Sequence, residues 1–452
     1  MSAAVLPGRP MRILHTVQSY PPAEGGMAEV VRQLSERLVR MGHAVTVATQ
    51  SHPKRCGGTM NGVRVVPFSV SGNSVNGIQG ETAAYQQFLL GSRFDVVVNF
   101  AAQQWASDLA FPLLQRIKGG KVFVPTGFSG LYSRRYRRYF EQMPGWLKSY
   151  DMNVFLSDSY RDIAFARRHG ITNTVLIPNG AAADEFLAPM PKPRERLGIP
   201  EGHLLVLHVG SHTGLKGHGD AMQIFSRADI ADATLLIVGD EPEGGCGASC
   251  LETAHALNQS AEFQRGGKTI LVRSLTRRDT VAAYLAADLF LFPSNIECSP
   301  IVLFECMASR TPFLAADVGN SAEIMGWSGG AGELLPQAKL DFWPCEGTLK
   351  DRVWQKLRIL LGRVDFFTAV RADIAGSAAL LEALCRDPAR RERMAEAGFR
   401  AWEEKFTWEG VAGQYQELYR KVAEGAACLP DREVCLEGSG GGCPEKGAGP
   451  NP

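Results

Sequence analysis

The residues with the clearest chemical potential in this sequence are two glutamates, Glu297 and Glu305. Glu305 stands in the apolar run IVLFECMA, so its helix should pack against a sheet, where an unpaired carboxylate costs on the order of several kcal/mol. Such an acid needs a partner. If the partner is a neighbouring arginine, Glu297 is an ordinary loop acid; if it is a polar ligand, both carboxylates belong to a binding site.

The predicted elements around the two glutamates decide where they point. Asp288–Phe292 and Pro312–Ala316 are short apolar runs, which predict buried strands on either side of a helix. Ser299 has the chemistry of the helix N-cap and Pro300 that of the first helical residue. Because helical side chains lean toward the N-terminus, Glu305 can reach back toward a ligand held by backbone N–H groups at the helix start.

Further residues extend this pattern beyond the two glutamates. The segment Glu297-Cys-Ser-Pro-Ile-Val-Leu-Phe-Glu305 is followed by Thr311-Pro312, by Asp317-Val-Gly319-Asn320 and by Glu323. In order and spacing it resembles the Glu-x7-Glu donor signature of glycosyltransferase family 4. The resemblance implies an α/β fold of the GT-B type, with two Rossmann-like doubly wound parallel-sheet domains facing a central cleft. It also implies a retaining hexosyltransferase that uses a nucleoside diphosphate sugar.

Length and composition are those of an ordinary globular protein. The 452 residues leave room for two or three domains, and the net charge of +1 provides no overall attraction to nucleic acid. Ten cysteines without a signal-peptide pattern predict reduced thiols, and no run reaches the roughly 18 apolar residues of a spanning helix. We therefore predict a cytoplasmic protein without a nucleic-acid partner.

A metal site is suggested by one group of residues, Cys246, Cys250 and His255. No second pair of ligands stands near them at zinc-finger spacing, so the sequence predicts no metal there.

The N-terminal half begins with a strand, helix, strand unit. Met11–Val17 is a predicted strand, and the following apolar positions from Val30 to Met41 lie on one helical face. Gly25 and Gly26 precede that helix, where glycine lets the backbone approach a phosphate closely. The resemblance implies that this glycine pair touches the donor diphosphate.

Two predicted strand ends of this half, residues 99–105 and 126–130, should border the cleft. Neither contains the histidine that many family members carry near the sugar and acceptor. The segment that follows, Leu131–Tyr150, mixes aromatic residues with four arginines. It is either a core-facing aromatic stripe with a solvated basic face, or a basic helix resting on an anionic membrane surface, and its arginines could also hold an anionic acceptor.

The C-terminal half carries the predicted diphosphate site. Gly210, Lys216 and Gly217 follow the predicted strand Leu204–Val209 and precede a helix. Lys216 can therefore lie over a diphosphate as a point charge and neutralise the leaving group.

One position of this half departs from the family pattern. Family members usually have an arginine directly after the first glycine, whereas this chain has Ser211. His212 and Arg273 are the candidate replacements for its charge. By analogy with the family, the segment 272–275 should contact the nucleobase.

The chain divides into five predicted parts. They are an N-terminal Rossmann-like acceptor-side domain (11–190), a linker (191–200), a C-terminal Rossmann-like nucleotide-sugar domain (201–395, with an insertion at 341–373), a closing helix returning to the first domain (396–424) and a disordered tail (425–452).

The resemblance assigns a role to each candidate residue. Lys216 and Glu297 are the catalytic residues, with Glu297 near the sugar hydroxyls, and Glu305 binds the ribose hydroxyls. The predicted donor-binding residues are Gly25, Gly26, Gly210, Ser211, Lys216, Ser299, Pro300, Ile301, Val302 and Glu305. We expect no metal or other cofactor, because no Asp-x-Asp motif stands at a predicted strand end.

The expected partners are a nucleotide-sugar donor and a saccharide or lipid-linked acceptor, with peripheral contact at the inner face of a membrane through Leu131–Tyr150. Three alternatives stay open: a non-catalytic nucleotide-sugar-binding protein, a sugar phosphorylase of the same fold and an NAD-dependent enzyme. The last lacks a dinucleotide fingerprint.

Overall fold

The structure is a computed structural model that describes residues 9–23, 25–55, 57–190, 192–240, 245–338 and 370–427. Two predicted parts of the chain lie largely outside the described residues: residues 341–369 of the insertion and residues 428–452 of the tail.

Strands and helices alternate along both halves of the chain. The first half contains β1 (Arg12–Thr16), α1 (Gly26–Arg40), β2 (Ala44–Gln50), β3 (Thr59–Met60), β4 (Val63–Phe68), β5 (Val70–Asn73), β6 (Gly77–Gly80), α2 (Thr82–Gly91), β7 (Val96–Phe100), α3 (Trp105–Asp108), β8 (Gly120–Val124), α4 (Arg137–Ser149), β9 (Met152–Phe155), α5 (Arg161–Arg168), β10 (Thr174–Leu176) and α6 (Ala183–Phe186). The second half contains α7 (Pro193–Leu197), β11 (Leu204–Val209), α8 (His218–Arg227), β12 (Ala233–Val238), α9 (Gly247–Asn258), α10 (Ala261–Arg265), β13 (Lys268–Arg273), α11 (Arg277–Ala286), β14 (Leu289–Phe292), α12 (Ile301–Ala308), β15 (Phe313–Ala315), α13 (Ser321–Ser328), β16 (Gly332–Leu334), α14 (Ile374–Cys385), α15 (Pro388–Ala401) and α16 (Trp408–Ala427).

Each half is built on a sheet whose strand order reverses near its centre. The first sheet has the order β10-β9-β8-β7-β1-β2-β4-β3, and β3 alone is antiparallel to its neighbour. The second sheet has the order β13-β12-β11-β14-β15-β16 and is parallel throughout. The order reverses at β1 in the first sheet and at β11 in the second. In doubly wound sheets of this kind, ligands bind beyond the carboxyl ends of the strands at these reversal points.

The end of the chain crosses back to the first half. Trp402 and Phe406 pack in the core of the second half, whereas Trp408, Tyr415 and Tyr419 pack in the core of the first. The apolar face of α16 therefore covers the first sheet. Among the described residues no helix combines the length and the apolar composition needed to cross a bilayer.

His15 joins β1 to two helices that pack in the core of the first half. Its Nδ1 lies 2.8 Å from the Ser35 hydroxyl of α1, and its Nε2 lies 3.2 Å from the Tyr419 hydroxyl of α16. The side chain is fully buried, and burial lowers the pKa of His15 to about 3. The imidazole is therefore neutral in the folded protein near pH 7.

We expect His15 to make the protein less stable in mild acid. The unfolded chain takes up a proton at this histidine below about pH 6.5, while the folded chain does so only near its lowered pKa, so stability falls with falling pH between these values. Relative to the variant His15→Gln, the wild-type protein should lose about 2 kcal/mol between pH 7 and pH 5. Urea unfolding at the two pH values measures this.

The control for this prediction is His255→Gln, because His255 is exposed on α9. Its stability should depend on pH as that of the wild-type protein does. Equal pH dependence in wild type and His15→Gln would contradict the prediction.

Candidate active site

A cavity of about 790 Å³ is lined by residues of both halves. All the residues named above as catalytic or donor-binding line it: Gly25, Gly26, Gly210, Ser211, Lys216, Glu297, Ser299, Pro300, Ile301, Val302 and Glu305. Of the segment 272–275, expected at the nucleobase, only Leu275 does so. The catalytic and donor-binding residues come from the start of α1 and the loop before it, from the loop after β11, and from α12 and the loop before it. The structure thus brings together segments that are up to about 280 residues apart in the chain.

Two helices begin at the cavity without a side-chain cap. The N-cap of α1 is Gly25, which has a φ of +127°, a value that favours glycine. The N-cap of α12 is Pro300, whose ψ of 110° is extended, so the predicted positions of Ser299 as N-cap and Pro300 as first helical residue were each wrong by one residue. The first backbone N–H groups of both helices are open to bind an anion or an oxygen atom of a ligand.

Ser299 contributes a further polar group to the start of α12. Its hydroxyl oxygen is buried and has no hydrogen-bond partner among the described residues, although the residue lines the cavity. A buried hydroxyl without a partner costs free energy, which a ligand hydroxyl or phosphate oxygen at this point would recover.

Lys216 and Glu297 form an ion pair at the cavity wall. Lys216 Nζ lies 2.7 Å from Glu297 Oε1, and the Ser294 hydroxyl donates to the same carboxylate oxygen at 2.8 Å. The turn that places Lys216 depends on Gly217, which has a φ of +73° and whose Cβ, if it had one, would lie 2.0 Å from Pro293 O. The two predicted catalytic residues therefore lie in direct contact.

Glu305 has an arginine partner, Arg277 of α11. Arg277 Nη1 lies 2.6 Å from Glu305 Oε1, and the Glu305 side chain is only 5% exposed. Burial raises the pKa of Glu305, and Arg277 offsets part of this rise. Both residues line the cavity, so Glu305 has an arginine partner and also faces the space where a ligand could bind.

Arg277 also contacts residues from the first part of the chain. Its Nη2 lies 2.6 Å from Glu185 Oε2 and 3.9 Å from Glu29 Oε1. Arg32 of α1 lies 2.7 Å from a carboxylate oxygen of each of these two glutamates. We call these five residues, Glu29, Arg32, Glu185, Arg277 and Glu305, the Arg277 network.

The Arg277 network carries three carboxylates and two guanidinium groups. Burial lowers the pKa of Arg277, but the carboxylates, Glu305 foremost, outweigh burial and raise it. The guanidinium is therefore charged at every pH at which the protein is folded. Arg277 could not be identified from the sequence, because nothing in its spacing connects it with Glu305, 28 positions later.

Neither His212 nor Arg273 lines the cavity, although both were candidates to replace the arginine that family members usually carry at the position of Ser211. Arg273 is exposed at the end of β13, and His212 is buried beside His218. Leu275, from the segment expected at the nucleobase, does line the cavity. The positive charges that do so among the described residues are Lys216, Arg32 and Arg277.

Hydrogen bonds join the two halves beside the cavity. Asn179 Nδ2 donates to Ser299 O at 3.1 Å, and Asn320 Nδ2 donates to Leu156 O at 2.9 Å. Glu323 accepts from the Ser157 hydroxyl at 2.8 Å and from backbone N–H groups of the same loop. Asn320 and Glu323, which follow the Glu-x7-Glu segment in the family pattern, thus bind the second half to the first.

The basic aromatic segment Leu131–Tyr150 forms α4 and the turn before it. Tyr139, Phe140 and Met143 are buried in the core, while the four arginines at 134, 135, 137 and 138 are exposed. This arrangement is that of the first alternative, a core-facing aromatic stripe with a solvated basic face. Tyr132 is an exposed large hydrophobic side chain of this segment, at 50%.

Two family models match the chain. One, described as glycosyl transferases group 1, matches residues 190–338, and the other, described as Glycosyltransferase Family 4, matches residues 24–185. Together they span more than half of the chain. The chain belongs to glycosyltransferase family 4. It is therefore a glycosyltransferase, as the signature predicted.

Named relatives resemble this family 4 chain over most of their length. The D-inositol 3-phosphate glycosyltransferase of Xylanimonas cellulosilytica is 24% identical over 88% of this chain and 92% of its own. The glycogen synthase of Mycobacterium tuberculosis is 24% identical over 92% of this chain and 96% of its own.

Solved structures of similar fold cover the family 4 chain equally well. Sucrose-phosphate synthase from Thermosynechococcus elongatus has a TM-score of 0.69 at 20% identity and covers 92% of this chain and 100% of its own. Anabaena HepE in complex with UDP and glucose has a TM-score of 0.65 at 15% identity and covers 91% and 100%. These likenesses confirm the GT-B fold.

The Arg277 network predicts a large effect of removing its central arginine. The variant Arg277→Met leaves Glu305 buried without its nearest positive charge, so the free energy of unfolding should fall by about 3 kcal/mol. Urea unfolding measures the loss. Changing Glu305 to Gln in the same chain removes the stranded charge and should restore part of it.

Arg278→Met is the matched control, because Arg278 is the exposed neighbour of Arg277 on α11. Its effect should stay within about 0.5 kcal/mol. If the two single variants are equally stable, the network does not contribute as described.

Proposed function

We propose that this family 4 glycosyltransferase transfers a sugar from a nucleoside diphosphate sugar to an acceptor hydroxyl with retention of the anomeric configuration. The observation that carries the proposal is the mixed chemistry of one cavity. Two uncapped helix N-termini and Lys216 suit a diphosphate, while Glu297 and Glu305 suit hydroxyl groups. A nucleotide sugar presents these two kinds of group together.

The donor would lie across the cavity with its diphosphate at the glycine pair and Lys216. Glu305 would accept hydrogen bonds from the ribose hydroxyls, sharing its carboxylate with Arg277. The unpartnered Ser299 hydroxyl would bond to the sugar or a phosphate oxygen. This arrangement puts acids beside a diphosphate without repulsion, because each acid faces hydroxyl donors.

Lys216 and Glu297 would act at the reacting bond. When the bond between the anomeric carbon and the donor phosphate oxygen breaks, negative charge develops on the diphosphate, and Lys216 and the helix N-terminal N–H groups stabilise it. Glu297, held by Ser294 and Lys216, would orient the sugar through its hydroxyls. The acceptor hydroxyl would form the new bond on the face from which the diphosphate leaves, and its proton would pass to an oxygen of the departing diphosphate.

The acceptor would enter from the first half of the chain. The two segments beyond β7 and β8 are joined there, since Gln103 Oε1 accepts from Gly130 N at 3.1 Å and from the Ser129 hydroxyl at 3.2 Å. The exposed arginines of the segment 131–150 lie on the same half and would attract an anionic saccharide or the lipid of a lipid-linked one at a membrane surface.

A non-catalytic role is the second candidate, and Ser211 is the observation that favours it. This residue lines the cavity where family members usually supply an arginine. A protein that binds the donor but does not cleave it would keep Glu305 and lack this charge.

Calorimetry with UDP, GDP and ADP tests the donor site. We expect one nucleotide to bind the wild-type protein and Glu305→Ala to bind it about 100-fold more weakly, because two hydrogen bonds to a charged group are lost. UDP is the first nucleotide to test, because HepE was solved with it. Glu252→Ala, an exposed glutamate of α9, is the control and should bind normally.

Two results would contradict the proposed donor site. One is unchanged affinity in Glu305→Ala together with normal binding in the control. The other is a wild-type protein that binds none of the three nucleotides.

A further inference from the structure

Three potential metal ligands meet behind the loop that carries Lys216. Cys246 Sγ lies 3.6 Å from His212 Nδ1 and 3.7 Å from His218 Nδ1. The ligand atoms of the three residues all lie within 4.8 Å of one another, and both histidines are 2% exposed. In the part of the chain that the structure describes, no other group of three such side chains comes this close.

These separations match the edges of a tetrahedral zinc site. With a Zn–S bond of about 2.3 Å and a Zn–N bond of about 2.0 Å, tetrahedral geometry puts sulfur and nitrogen about 3.5 Å apart. The two observed distances differ from this value by only a few tenths of an ångström. The two sulfur–nitrogen separations therefore suit a zinc ion, and the His212 ring, which stacks nearly parallel to the His218 ring, would turn so that its Nδ1 lone pair also faces the ion.

The second nitrogen of His218 already has the partner that a metal-binding histidine requires. Its Nε2 lies 3.0 Å from Gly210 O, so it donates to this carbonyl and leaves the lone pair of Nδ1 facing Cys246. The His212 ring stacks on the His218 ring with centroids 4.2 Å apart. The contact with Gly210 thus fixes the orientation of the His218 ring from outside the cluster, whereas the His212 ring packs within it.

A thiol proton on Cys246 satisfies the two histidine nitrogens less well than a metal ion would. The thiol has one proton, so it can donate to only one of the two Nδ1 atoms at a time. A zinc ion would contact the sulfur and both nitrogens at once.

We propose that His212, His218 and Cys246 bind one zinc ion, with water as the fourth ligand. The Cys246 thiol loses its proton to solvent on binding, and two neutral imidazoles and one thiolate leave the site with one net positive charge. The inference does not depend on the proposed transferase reaction.

The proposed ion would fix the loop that faces the cavity. His212 follows Ser211 directly, and His218 stands two residues after Lys216. Ser211 and Lys216 line the cavity, whereas the three zinc ligands do not. The ion would therefore connect this loop to the segment before α9 and hold Ser211 and Lys216 in place from behind.

The neighbours of Cys246 in the folded chain are not those that its sequence pattern suggested. Cys250 and His255, for which the sequence predicted no metal, do not join the cluster. The two histidines beside Cys246 lie 34 and 28 positions earlier, at a spacing that resembles no zinc-finger pattern.

Metal analysis of the full chain tests the proposal. The protein is reduced, stripped with a chelator, given one equivalent of zinc chloride, passed through gel filtration and measured by mass spectrometry of the metal. We expect about one zinc per chain in the wild type and less than a tenth of that in Cys246→Ser. Cys250→Ser, one helical turn away, is the control and should retain the full amount.

Cobalt provides a second readout that does not depend on stability. The Co²⁺-loaded wild type should have a thiolate-to-cobalt charge-transfer band that Cys246→Ser lacks and Cys250→Ser keeps. The proposal is overturned if the wild type retains no more zinc than Cys246→Ser, or if the cobalt band survives in that variant.

Discussion

A buried carboxylate at the junction of two sheets constrains much of this structure. Glu305 is held in an apolar helix against the second sheet, and its charge is tolerated because Arg277 lies 2.6 Å away. Arg277 in turn binds Glu185 and faces Glu29, so the arginine that stabilises Glu305 also links the second half to α1. The packing of one acidic side chain is thus coupled to the relative position of the two halves.

The cavity beside this network combines two kinds of electrostatic surface. Lys216 and the starts of α1 and α12 favour negative charge, while the glutamates favour hydroxyl donors. Lys216 and Glu297 neutralise each other at 2.7 Å when no ligand lies between them. Ligand binding at this point would therefore exchange one set of charged hydrogen bonds for another, which keeps the cost of desolvating the site low.

Much of the fold could be predicted from the sequence because short apolar runs mark buried parallel strands. Leu204–Val209 has the predicted bounds, and most other predicted strands differ by one or two residues. The hairpin of β5 and β6 could not be predicted, because the run VSGNSVNGIQG has many polar residues and glycines and no clear alternation. The start of α12 was placed one residue early because proline is common both at the first helical position and just before it.

The candidate site was only partly predictable for a different reason. Glu297, Glu305 and Lys216 belong to local motifs, so sequence spacing could identify them. The pairing of Arg277 with Glu185 and Glu305, and the meeting of Cys246 with two distant histidines, depend on how separate loops fold together. No periodicity in the sequence contains that information.

The most direct test of catalysis by this chain is the release of nucleoside diphosphate from a panel of UDP-, GDP- and ADP-sugars, with a cell membrane extract supplying acceptors. We expect release from one donor, dependent on the extract and lost in Lys216→Met. Donor binding without release under every acceptor condition would contradict catalysis by this chain and favour the non-catalytic role, with Ser211 as its cause.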